Sequence, residues 1–210
     1  WRYDFARSEF DLRLRSTTDL AALTVLVAPQ LAEGIRELEV GQNPRVDVRY
    51  LLSAETGSLP QLEGEVDLKA LQARGVEFEQ IKFDFQSQGP VLTVPEILVV
   101  MSQGRLTGSG VIHLESSDFA YVFDSTLDPT TLLPLMTPNI REVVEPAWFE
   151  DAPHITASVI GDFIDPDNFA YDAVVRAQRC SYRGVGLDGA YGDLKLRRSE
   201  LDVQQLRLER

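Results

Sequence analysis

The chain has 210 residues, 44% of them hydrophobic and 25% charged, an ordinary globular composition that excludes wholesale disorder. Its 20 basic and 33 acidic side chains give a formal charge of −13, which repels phosphate backbones and anionic headgroups and argues against general nucleic-acid binding. Cys180 is the single cysteine, so an internal disulfide and a thiolate metal cluster are excluded, and no apolar run reaches the ~18 residues of a membrane-spanning helix.

In chain order, the sequence opens Trp1-Arg2-Tyr3-Asp4 without an initiator Met and reads as a piece of something longer. Phe10, Leu12 and Leu14 alternate with Asp11, Arg13 and Arg15, the pattern of a half-buried strand. Ser16-Thr17-Thr18-Asp19 supplies helix caps, and the apolar spacing that follows predicts a helix over 19–38, kinked at Pro29. Val46, Val48 and Tyr50 alternate with Arg45, Asp47 and Arg49. Strands are then expected over 62–71, with Val66 and Leu68 on one face, and over 76–86, 91–101 and 105–115. Gly89-Pro90 and Gln103-Gly104 mark turns between them.

Tyr121 and Phe123 belong to the next alternating run. Asp128-Pro129 then caps a helix predicted over 128–148, which Pro134 and Pro138 interrupt. The remaining runs, 155–160 (Ile155, Ala157, Val159), 169–177, 184–196 (Leu194, Leu196) and 200–208, complete a second meander. Several runs approach 10–12 residues against a usual ~5–6, so the sheet should be wide, with one apolar face.

Shifted by about 109 residues, the chain aligns with itself without a gap. Phe10 falls on Phe119, Ser16-Thr17 on Ser125-Thr126, Pro44 on Pro153, Arg74-Gly75-Val76 on Arg183-Gly184-Val185, and Asp84 on Asp193. About 17 of about 101 aligned pairs are identical, where chance gives about 6. The expected fold is therefore mainly β with inserted helices (α+β): two tandem repeats of a long-stranded antiparallel meander, forming a curved, groove-like sheet with one broken helix per repeat. The first repeat covers 1–109 and the second, truncated, 110–210. The phase of the repeat predicts that both ends are open edges of a longer array.

Three further features complete the pattern. Pro153-His154-Ile155 opens a strand after the proline-broken helix. Arg179-Cys180-Ser181-Tyr182-Arg183-Gly184-Val185 leads into the last meander, and Gly104-Arg105-Leu106-Thr107-Gly108-Ser109-Gly110 forms a glycine-rich strand. Together they resemble the AsmA-like superfamily of bacterial envelope proteins (TamB and relatives). The resemblance implies a segment of a periplasmic β-groove, in a parent chain anchored in the inner membrane, carrying phospholipids towards the outer membrane.

Catalytic and metal readings find little support. His113 and His154 lie in separate strands with no metal-ligand spacing around them. Asp162, Asp165, Asp167 and Asn168 are dense enough to consider for Ca²⁺, but they lack the EF-hand pattern and read as turn residues. No nucleophile elbow is present, and 104–110 lacks the Lys-Ser/Thr of a phosphate loop. The expectation is a non-enzymatic module with no cofactor or metal. Its partners are phospholipid acyl chains, neighbouring repeats of the same longer chain and envelope-membrane proteins, with no nucleic acid. The alternative is a structural or interaction repeat whose apolar face is filled by its own helices. The groove lining is predicted to be Phe10, Leu12, Leu14, Val46, Val48, Tyr50, Val66, Leu68, Tyr121, Phe123, Ile155, Ala157, Val159, Leu194 and Leu196.

Overall fold

Two-residue turns set the geometry of the long hairpins. At Arg74-Gly75 both residues have positive φ, 46° and 82°, and Arg183-Gly184 repeats this with 50° and 79°. Such a turn twists in the same sense as the strands it joins, and glycine takes its second position at little steric cost. The hairpins that result carry 13-residue strands, β5 (Gln61–Ala73) with β6 (Val76–Gln88) and β12 (Ala170–Tyr182) with β13 (Val185–Arg197), and of these β5, β6 and β12 run longer than the alternation indicated.

The computed structural model describes residues 2–4, 9–16, 38–40, 44–53, 61–165, 168–197 and 200–210. The other strands are β1 (Arg2–Asp4), β2 (Glu9–Ser16), β3 (Leu38–Val40), β4 (Arg45–Ser53), β7 (Val91–Met101), β8 (Gly104–His113), β9 (Asp118–Ser125), β10 (Ala147–Phe149), β11 (His154–Asp162) and β14 (Glu200–Glu209). All join one antiparallel sheet in the order β1-β2-β4-β5-β6-β7-β8-β9-β11-β12-β13-β14, with β3 paired to β5 and β10 to β12. The sheet is open and curved, and the described residues add two short helices. The boundary expected between 109 and 110 falls inside β8, so the sheet runs across it unbroken.

Element bounds recur along the chain. β2, β4, β5 and β6 begin at Glu9, Arg45, Gln61 and Val76; β9, β11, β12 and β13 begin 109 residues later, at Asp118, His154, Ala170 and Val185. The pairing follows the same interval: Val66 opposes Phe83 as Val175 opposes Gly192, and the ladder shifts register after Asp84 as it does after Asp193. Ala70 and Arg179, mid-strand positions 109 residues apart, both have left-handed φ (50° and 46°). At each, two successive residues are exposed and the next is buried (Leu71, Cys180), so the strand changes which of its sides is covered.

The helical insert differs from its prediction. Asp128 caps it, accepting from the Thr130 backbone N–H at 2.9 Å, but Pro129–Leu135 is a 3₁₀ helix and Pro138–Val144 a separate α1. Pro134 and Pro138 supply no backbone donor, which prevents one continuous helix. Nor does the insert reach 148, because Ala147–Phe149 pairs with β12 as β10. The first predicted helix, 19–38, lies outside the described residues except for Leu38, which begins β3. At the N-terminal edge, β1 folds back on β2, partly covering a strand expected to stand open.

Candidate functional site

Residues opposite one another in a sheet project to the same side, so the register can be followed from strand to strand. One row runs Val46, Val66, Phe83, Ile97, Gly108, Phe123, Ala157, Ala173, Leu194, Val203. A second runs Leu68, Ile81, Val99, Leu106, Ser125, Ile155, Val175, Gly192, Leu206. A third, Gly110, Tyr121, Val159, Tyr171, Leu196, Leu201, lies beside the first. Leu12 opposes Tyr50 and Leu14 opposes Val48 on the same side, and Phe10 sits in β2 opposite Leu52. Fourteen of the positions expected to line a groove thus occupy one face of one sheet; the side chain of Phe10 lies outside the described ones.

Covering varies along that face. Val46, Val48, Val66, Leu68, Ala157 and Val159 are buried, whereas Leu12, Leu14, Tyr50, Tyr121, Phe123, Ile155, Leu194 and Leu196 are half-buried. Ile81, Phe83, Ile97, Val99 and Leu106, unnamed from sequence, are also half-buried and pack against the core. The Arg74-Gly75 turn held the signal for some of them, since a two-residue turn pairing Ala73 with Val76 fixes Phe83 opposite Val66. The insert contributes Leu127, 2% exposed, and Leu132, both packed on this face. It covers part of the apolar surface and leaves the half-buried band in contact with solvent.

Glycines let aromatic rings lie on the floor. A Cβ on Gly64 would come 2.6 Å from Phe85 Cζ, and one on Gly161 would come 2.5 Å from Phe169 Cδ1. At one end the rings gather: Phe119 lies 4.5 Å from Phe163, 5.0 Å from Phe169 and 5.5 Å from Tyr121 between centroids, and Phe169 lies 6.3 Å from Tyr171. Burial pushes the Tyr121 and Tyr171 hydroxyls up to about 12, because an apolar surround disfavours the phenolate.

The opposite face is charged. Asp47 accepts from Arg13 (two bonds of 2.8 Å) and from Arg15 (2.9 Å), which hold its carboxyl down at about 2. Arg49 bridges Asp11 at 2.9 Å and Glu63 at 3.1 Å, Lys82 meets Glu65 at 3.3 Å, and Arg197 meets Asp172 at 2.8 Å. A hollow of about 800 Å³ on this side mixes Asp151, His154, Arg176, Tyr191, Arg207 and Glu209. Its charges of both signs select no one ligand.

His154 Nε2 lies 2.8 Å from Asp124 Oδ2, a carboxylate that sequence reading did not pair with it, while His113 ends β8. Asp162 accepts from the Ile164 backbone N–H at 2.7 Å, and Asn168 donates to the Asp165 carbonyl at 3.0 Å, as turn residues do; Asp167 is outside the described residues. Among the described residues no group of three His, Cys, Asp or Glu side chains is placed to hold a metal ion. No helix of the described residues is long and apolar enough to cross a membrane.

No family model, curated protein or solved structure matches this chain.

Proposed function

We propose that the apolar face is a trough for lipid acyl chains, in a tandem-repeat segment of a longer AsmA-like envelope protein. The observation that carries this reading is the apolar side shared by the eleven strands from β2 to β14 along the path, on which large aliphatic and aromatic side chains stay half-buried. Ten strand spacings of about 4.8 Å give a trough about 50 Å long. An acyl chain laid there gains about 0.8 kcal/mol for each methylene it buries, without any specific polar contact. The repeat reading is supported by the shared 109-residue interval of bounds, registers and left-handed positions. On this reading the segment lies in the periplasm, between neighbouring repeats and within reach of inner- and outer-membrane proteins. On this reading the chain conducts phospholipid and catalyses nothing.

A second reading, a structural repeat without cargo, draws on Leu127 and Leu132, which cover part of the face. Native mass spectrometry of the purified protein separates the two. Co-purified phospholipid, displaced by excess detergent, is expected for the trough. A lipid-free protein that takes up no long-chain fatty acid would leave the structural reading.

A further inference from the structure

Val159 has a tyrosine on either side. It opposes Tyr121 of β9 and Tyr171 of β12 on the apolar face, so the two tyrosines stand two strand spacings apart, about 10 Å. Both are half-buried, and among the described residues neither hydroxyl has a hydrogen-bond partner; burial alone raises their pKa values. Ser87 and Ser125, buried polar residues of the same sheet, already have partners. Ser87 accepts from the Leu62 N–H at 2.7 Å and Ser125 from the Leu127 N–H at 3.1 Å. Packing does not require a phenol at the tyrosine positions: 109 residues earlier the same two places hold Leu12 and Leu62, which flank Tyr50. Two residues along from Val159 and Tyr171, Ala157 and Ala173 oppose one another, so the floor beside the tyrosines is low.

A methylene laid over either hydroxyl displaces the water it would bond and leaves a polar group unmatched, which weakens binding. A carbonyl oxygen laid there accepts from it. We propose, resting on the reading of this face as an acyl trough, that Tyr121 and Tyr171 are its polar subsite and donate to the ester carbonyls of a lipid seated on Ala157 and Ala173. The trough then has a register. Acyl chains lie along the apolar floor, and the ester group stops between the two phenols. A diacyl lipid offers two such carbonyls and engages both tyrosines, whereas a plain hydrocarbon engages neither. Neutral phenols suit a neutral ester. A carboxylate buried there would call for a cation, and neither the row through Val159 nor the row through Ala157 carries one. A few placed polar groups in an apolar site fix orientation and select the ligand, which is the role assigned to this pair.

Displacement of a fluorescent alkyl probe from the 210-residue chain tests this, with a long-chain alkane, a fatty acid methyl ester of matching length and the ionised fatty acid as competitors. Comparing each variant with the parent, ligand by ligand, cancels differences in water solubility. Tyr121→Phe and Tyr171→Phe should each weaken the ester about three- to tenfold, the usual effect of one hydrogen bond, and leave the alkane within about twofold. In the parent, the infrared band of the bound ester carbonyl should sit at lower frequency than in the double variant, a shift that lost packing alone does not produce. Phenylalanine keeps the ring, and far-UV circular dichroism reports that each variant is folded. Equal changes for ester and alkane, or none for the ester, would overturn the proposal and leave the trough standing. So would a fatty acid that loses affinity in both variants while the ester does not, since the phenols would then hold a carboxylate. A parent chain that binds neither probe nor alkane would remove the trough itself, and this subsite with it.

Discussion

Gly110 and Tyr121 face one another across β8 and β9, and the phenol ring lies over the glycine Cα. A Cβ on Gly110 would run into Tyr121 Cδ1 and Cε1 and lie 2.8 Å from the Ala120 carbonyl oxygen. The ring cannot relieve both contacts, because one partner is backbone. Gly110→Ala is expected to cost about 1–3 kcal/mol through overpacking. Gly186 has nothing within 4 Å of its Cβ position, so Gly186→Ala should stay within about 0.5 kcal/mol. Urea denaturation of the two variants measures the difference; equal midpoints would show that Tyr121 does not rest on Gly110.

Asp47 sets a pH dependence of stability. Its two arginines, Arg13 first, favour the carboxylate in the folded state and lower its value from 3.8 to about 2. A depressed folded value gives stability that is present above pH ~4 and lost as pH falls towards 2. Arg13 and Arg15 are 57% and 69% exposed, so screening holds the contribution to about 1 kcal/mol. Comparing the chain with Asp47→Asn, the stability gap at pH 6 should close between pH 4 and 2. A gap unchanged across that window would remove Asp47 from the account.

The tyrosines of the apolar face give an alkaline signature. Burial raises Tyr121 and Tyr171 from 10.0 to about 12, so the folded state favours the neutral phenol. Their contribution is complete below pH ~10 and is lost as pH rises from 10 towards 12. Ultraviolet titration should show Tyr121 and Tyr171 ionising late. Bound acyl chain, by removing more water, should delay them further. Substituting either residue with Phe should delete one late step.

How much was legible from sequence follows from what each signal constrains. Alternation placed Val46, Val48 and Tyr50 on one side, because a strand has a period of two. It carried no information across strands; pairing did that, and pairing was set by the short turns at Arg74-Gly75 and Arg183-Gly184. β3 and β10 escaped because three residues such as Ala147–Phe149 are too short to show a period. The insert was readable as broken at Pro134 and Pro138, but a 3₁₀ turn and an α-helix share the same caps, so its winding was not readable. Phe83, Ile97 and Val99 joined the site only through register, and the left-handed Ala70 left no mark in the sequence, since alanine carries no preference for that conformation.

The trough itself is tested by making its half-buried band polar without disturbing the covered core. Ile97 and Phe123 both oppose Gly108, from β7 and β9, so they flank a point where the floor has no side chain. Val122, the neighbour of Phe123, projects from the charged face and is 55% exposed. An acyl chain in the trough would touch the first two and not the third. Replacing one apolar contact by an amide removes about 1–1.5 kcal/mol of burial, or roughly tenfold in affinity. Ile97→Gln and Phe123→Gln are therefore expected to weaken binding of a fluorescent long-chain fatty acid about tenfold each, while Val122→Gln leaves it unchanged. Their thermal midpoints should fall by only a few degrees, because both sites already meet solvent. Equal losses at all three positions would indicate general destabilisation. Unchanged binding at Ile97 and Phe123 would place the lipid elsewhere and sink the trough.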